Sequence, residues 1–198
     1  MPKRNDEQLL EAYRGGDLEA FRLLIGRHHD DLLRFLIRLT GDRQAADDVF
    51  QEAFLQVHIS ADTFDPARRF KPWLFTIAAN KARDLLRKRV RRQEVDIAAP
   101  VGGKGGAGGQ TFVDLMQVEV PPPGQGLEAR ERDELVQRAI DRMPAALKEI
   151  LLLAYFQRLS YSQIAEELEI PLGTVKSRLH SAVAAFARQW ESVSEKST

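Results

Sequence analysis

Ten residues near the middle of the chain, VGGKGGAGGQ from Val101 to Gln110, include six glycines. Glycine loses more backbone freedom on folding than any other residue and brings no side chain to bury. Such a run cannot hold regular structure cheaply. Pro121, Pro122, Pro123 and Gly124 close the same stretch. Helical pattern is dense on both sides of it. The expected fold class is therefore all-α: two helical domains, residues 5–93 and 127–191, joined by a flexible Gly/Pro-rich linker at 94–126. A length of 198 residues suits two small domains. Inside the linker, TFVDLMQVEV (residues 111–120) is the one place where a short strand could form, or where the linker could dock.

Several function classes are set aside by what is missing. There is no cysteine, which excludes disulfides and thiolate metal sites. The N-terminus, MPKRNDEQLL, lacks the apolar core of a signal peptide. No apolar run approaches the roughly 20 residues that span a bilayer. A cytoplasmic protein without membrane insertion is expected. The chain ends soon after Trp190, so a further C-terminal sensory domain is not expected. No Walker-type glycine loop and no nucleophile beside a base is visible. His28–His29 is the only histidine pair, and it reads as a solvated feature at a helix end. No catalytic residue, metal or cofactor is expected, and no enzyme activity.

The formal net charge is zero, but the charges are not mixed evenly. From Arg68 to Arg92, ten of 25 positions are Lys or Arg, with only Asp84 opposing them. From Val95 to Leu135 the balance reverses and the connector is acidic. Ten cations are more than solubility requires, and they favour a polyanion partner over a merely solvated helix end.

In the N-terminal half, a helix at Asp6–Tyr13 is followed by others at about 18–28 and 30–39, with a break at Thr40–Gly41–Asp42. The next helix, about 44–59, has Ala46, Val49, Phe50, Ala53 and Val57 as its core stripe. Asp48, Gln51, Glu52 and Leu55 gather on its other side. An outward leucine beside two carboxylates and an amide suits a protein contact. Beyond the Asp65–Pro66 loop a long helix starts near Pro72. Trp73, Thr76, Asn80, Arg83, Asp84 and Arg87 recur along one side of it. Aromatic rings can stack on bases, amides can read base edges and cations can track phosphates, which suits single-stranded nucleic acid. Of Phe70, Trp73, Phe75 and Ile77, at least two are expected in the core.

The segment Ser160–Phe186 reads as two short helices joined by a tight turn around Ile170–Gly173. Ser160 and Gln163 form a capping box at its start. Tyr161, Ile164, Ala165 and Leu168 make one apolar stripe, and Val175, Leu179, Ala182 and Phe186 make another. Ser177, His180, Ser181 and Ala184 fall opposite the second stripe, flanked by Thr174, Lys176 and Arg178. That is the shape of a module that lays one helix in the major groove. An ordinary amphipathic helix pair has the same periodicity.

DDVFQEAFLQVH (Asp47–His58), FKPWLFTIAANKARDLLRK (Phe70–Lys88) and SYSQIAEELEIPLGTVKSRL (Ser160–Leu179) together resemble the extracytoplasmic-function sigma factors of the sigma-70 family. The resemblance implies a region 2-like bundle and a region 4-like helix-turn-helix domain, with promoter DNA and core RNA polymerase (β′ clamp helices and β flap) as partners. It also implies an anti-sigma factor. Asp48, Gln51, Glu52, Phe54 and Leu55 match the segment that docks on the β′ clamp helices. The loop at 61–70 matches the one that captures a base flipped from the −10 element, and Phe64 and Asn80 look like walls of that pocket. Trp73, Lys81, Arg83 and Arg87 look placed to hold the non-template strand. Thr174, Lys176, Ser177, Arg178, His180 and Ser181 match the −35 recognition helix. Two other readings stay open at this point: a free-standing helix-turn-helix regulator, and an adaptor that binds only proteins.

Overall fold

The computed structural model describes residues 4–93, 127–157 and 159–195. The chain divides into two units, Met1–Ala99 and Pro100–Thr198. All regular structure among the described residues is helical. The linker, including the stretch at 111–120, lies outside them.

Polar residues start each of the first three helices of the N-terminal unit. Asn5 caps α1 (Asp6–Arg14) in a reciprocal box with Gln8. Asp17 caps α2 (Leu18–Thr40) by accepting the Ala20 N–H. Asp42 caps α3 (Arg43–Ser60) through the Ala45 N–H. Each carboxylate or amide satisfies a backbone donor that the helix itself leaves open. Between α2 and α3, Gly41 adopts φ 72°, the left-handed geometry that a glycine takes without strain. A 3₁₀ turn, Ala61–Thr63, and a short loop then lead to α4 (Phe70–Gln93).

The core lies where α3 packs against both α2 and α4. Ala45, Ala46, Val49, Ala53 and Val57 of α3 are fully buried. So are Leu74, Phe75, Ala78 and Ala82 of α4, and Leu24, Leu32, Phe35 and Leu36 of α2. Phe35 and Phe75 meet with ring centroids 5.2 Å apart. Phe70 and Phe75 are the two core aromatics expected of their segment. Alanines along α3 and α4 allow close approach of the two axes.

In α2 the structure corrects two expectations. Residues 18–40 form one helix, not two. His28–His29 is not a solvated helix end, since His28 sits mid-helix at 3% exposure. Its Nε2 donates to Asp6 of α1 at 2.9 Å, and its ring lies 5.5 Å from that of Phe70. Buried polar groups are kept when they are hydrogen-bonded, and His28 is. His29 is exposed and pairs with Asp30.

The C-terminal unit is organised around its last helix. The helices are α5 (Leu127–Asp141), α6 (Ala145–Gln157), α7 (Tyr161–Leu168) and α8 (Leu172–Ser194). The first three all pack on α8. Met143, Ile150, Leu151, Ala154, Ile164, Val175, Leu179, Ala182 and Ala185 form the core. The capping box at Ser160 and Gln163 is present. The turn between α7 and α8 is shorter than expected, because Leu172 and Gly173 already belong to α8. Pro171 is the residue just before the helix, and Glu169, not a glycine, takes the left-handed position at φ 52°. Its N–H bonds back to Ala165 and Glu166 carbonyls and closes α7.

Burial raises the Asp6 carboxyl, but the hydrogen bonds and charges of His28 and Arg27 outweigh it and hold the group below the ordinary carboxylate range. A depressed folded value stabilises the fold fully above the unfolded value of about 3.9, and that stabilisation is lost as pH falls through the folded value. Asp6→Asn should therefore reduce stability by about 1–2 kcal/mol at pH 7. The gap from the wild type should begin to narrow as melting is followed below about pH 4.

Candidate protein and nucleic-acid interfaces

Three surfaces collect the residues singled out from sequence. The first is the outer face of α3. Asp48, Gln51 and Glu52 are exposed, and Leu55 is 57% exposed. The core stripe of α3 faces the other way, so packing forces these four outward. Ile59, at 65% exposure, extends the face by one turn. It was missed from sequence, although its spacing of four from Leu55 marks it. Phe54 does not belong to this face. It is 5% exposed, with its ring 5.0 Å from Phe50 and 6.0 Å from Phe21 of α2. One step along a helix turns a side chain by about 100°, enough to separate Phe54 from its neighbour Leu55.

The second surface runs from the 61–69 loop along α4. Asp65 shapes the loop: its carboxylate accepts the Ala67 N–H at 2.9 Å and its carbonyl accepts the Arg68 N–H at 3.0 Å. Phe64 is buried, with its ring 4.7 Å from Trp73. It braces Trp73 from beneath and does not present an open wall, as had been expected of it. Trp73 is half-buried and also contacts Phe70, at 5.9 Å between centroids. Asn80, two turns further on, is exposed, and its carbonyl oxygen accepts from Arg83 Nη1 at 2.9 Å. Lys81 and Arg83 are half-buried, and Arg87 is exposed 4.0 Å from Asp84.

Not every cation in the basic run faces outward. Lys71 Nζ lies 3.1 Å from Asp31 on α2 and 5.5 Å from the Phe75 ring centre. Burial raises Asp31, and the bonds from Lys71 and Arg34 more than reverse this, so its carboxyl titrates below the usual range. Lys71 thus anchors α4 to α2. Arg89 likewise reaches Asp42 at 3.8 Å.

The third surface is the outer face of α8. Val175, Leu179 and Ala182 are fully buried beneath it. Lys176, Arg178, His180 and Ser181 are exposed, and Thr174 is half-buried. Ser177 is half-buried and donates its hydroxyl to the Thr174 carbonyl at 3.1 Å, which leaves its oxygen to act as an acceptor. Leu172, at 43% exposure, adds an apolar contact at the start of the helix that the sequence did not single out.

Comparison with known proteins matches both units. The family profile for Sigma-70 region 2 matches residues 24–92, and that for Sigma-70, region 4 matches residues 133–186. The RNA polymerase sigma-H factor of Pseudomonas aeruginosa is 32% identical over 189 residues, covering 94% of both chains. The ECF RNA polymerase sigma-E factor of Escherichia coli is 32% identical over 187 residues, covering 91% of this chain and 92% of that one. ECF RNA polymerase sigma factor SigW of Bacillus subtilis is 29% identical over 180 residues. Among solved structures, CnrH in complex with the cytosolic domain of CnrY shares the fold, with TM-score 0.65 and 23% identity over 94% of this chain and 97% of that chain.

The burial contrast on α3 has a measurable consequence. Phe54→Ala should cost about 3–5 kcal/mol in denaturant unfolding, the usual loss for a buried phenylalanine. Leu55→Arg should stay within about 0.5 kcal/mol of wild type.

Proposed function

This chain belongs to the sigma-70 family, among the extracytoplasmic-function RNA polymerase sigma factors, and on that premise we propose how its surfaces divide the work of initiation. The N-terminal unit binds core polymerase and opens the −10 duplex. The C-terminal unit anchors on −35 duplex DNA. The linker, at about 94–126, spans the two.

On α3, Asp48, Gln51, Glu52 and Leu55, extended by Ile59, meet the β′ clamp helices. An exposed leucine ringed by polar groups gives such a contact both an apolar centre and a polar rim. The same face is where an anti-sigma factor would act, because covering Leu55 and Ile59 would keep the unit off polymerase. The C-terminal unit is assigned the β flap.

The observation that carries the −10 assignment is the composition of one face of α4. It sets Trp73, propped by Phe64 and Phe70, in line with Asn80, Arg83 and Arg87. Flipping a base costs a few kcal/mol of unstacking. Stacking on an aromatic ring returns about 1–3 kcal/mol per base. Trp73 supplies the stacking, Asn80 the amide for a base edge, and Lys81, Arg83 and Arg87 the charge for the backbone. On α8, Lys176 and Arg178 meet phosphates or guanine edges, while Thr174, Ser177, His180 and Ser181 lie close to the groove floor. The protein has no catalytic residue of its own and works in the cytoplasm.

A free-standing regulator would need α8 but not the Leu55 face, whereas the relatives align across both units. Run-off transcription with core polymerase on a genomic promoter library separates the two. Wild type should direct initiation, and Leu55→Arg should abolish it by loss of core binding. Asn80→Ala should weaken −10 discrimination and spare −35 duplex binding. Failure of the wild type on every promoter would refute the proposal.

A further inference from the structure

Helix α1 reaches both ends of the 61–69 loop. At the near end, the Tyr13 hydroxyl is hydrogen-bonded to His58 of α3. Arg14 Nη2 donates to the Asp62 carbonyl at 3.4 Å, and its Nε lies 3.7 Å from the Asp62 carboxylate. At the far end, Glu7 Oε1 accepts the backbone N–H of Phe70 at 2.9 Å. Phe70 opens α4, so that N–H has no acceptor within its own helix. Glu7 therefore acts as a cap supplied from another helix, 63 residues away in sequence. Its neighbour Asp6 is committed to His28 and Arg27 and cannot take its place. Glu7 and Arg14 stand about 10 Å apart along α1. Helix α1 also lies outside the span matched by the region 2 profile, residues 24–92.

We infer that Glu7 is a positioning residue for single-strand binding: α1 is a strut that sets the separation of Asp62 from Phe70, and with it the pose of Trp73 one turn into α4. The inference rests on the reading of the loop and α4 as the −10 surface. What matters is reach. Glutamine keeps the length and an acceptor oxygen without the charge. Aspartate keeps the charge but is one carbon too short to reach Phe70. An effect working only through charge at the helix end would favour aspartate.

The test uses holoenzyme assembled from full-length variants and core polymerase. Its probe is a fluorescein-labelled pool of random single-stranded DNA, with binding by core alone subtracted. Glu7→Asp should weaken binding about fivefold, in line with loss of a cap, and Glu7→Gln should stay within about twofold of wild type. Exchange of the Phe70 amide, followed by NMR on the free protein, should quicken in Glu7→Asp and hold in Glu7→Gln. Equal binding by the two variants, weaker binding by Glu7→Gln, or unchanged Phe70 exchange in Glu7→Asp would overturn the strut. If Asn80→Ala leaves single-strand binding unchanged, the −10 reading of the surface falls, and the strut's role with it. If Asn80→Ala loses binding while Glu7→Asp does not, the strut alone falls.

Discussion

The seam between α3 and α4 decides where the functional side chains of the N-terminal unit point. Ala45, Ala46, Val49, Ala53 and Val57 line one side of it and Leu74, Ala78 and Ala82 belong to the other helix, all without solvent exposure. A helix that buries one stripe has no freedom over the rest. Asp48, Glu52 and Leu55 must leave α3 on the solvent side, and Asn80 and Arg87 must leave α4 likewise. Burial of each large side chain is worth about 1.5–3 kcal/mol, more than rotation of either helix could recover by hiding Leu55. The exposed leucine is therefore a consequence of packing, kept in place by the core behind it.

Polar pairs perform a second task, joining elements that the apolar core alone would leave free to slide. Asp6 with His28, Lys71 with Asp31, and Glu7 with the Phe70 amide each link two helices by a directional bond. Two of the three converge on the first turn of α4, the turn that leads to Trp73. Hydrophobic burial tolerates small shifts, whereas hydrogen bonds weaken steeply with distance and angle. The proposed role of holding an unpaired base calls for the second kind of constraint.

Features whose causes are local were legible in the chain. The Ser160–Gln163 box needs only three residues of context, and it stands as read. The stripes of α3 and α8 follow from helical period alone. Features that depend on distant partners were not legible. His28 looked like a helix end because the Asp6 that satisfies it lies 22 residues away. Leu55 was read as outward from period alone, whereas Phe54 was placed beside it only by the resemblance, and its packing against Phe21 of α2 overrules that. Phe64 was taken for a pocket wall on the resemblance, which does not show that its ring is spent on supporting Trp73.

The turn between α7 and α8 shows a limit of a different kind. Glycine is the common residue at a left-handed helix end, and Gly173 drew the expected turn toward itself. The chain instead bends at Glu169 and accepts strain of about 1 kcal/mol there. Two bonds from the Glu169 N–H to Ala165 and Glu166 help to hold it. Gly173 is left inside the first turn of α8, with no heavy atom of another element within 4 Å of where a Cβ would stand. Packing therefore does not account for a glycine at that position. An exposed position without a side chain in the first turn of the helix assigned to −35 DNA fits the need for a backbone to come close to phosphates, where an added side chain would stand in the way.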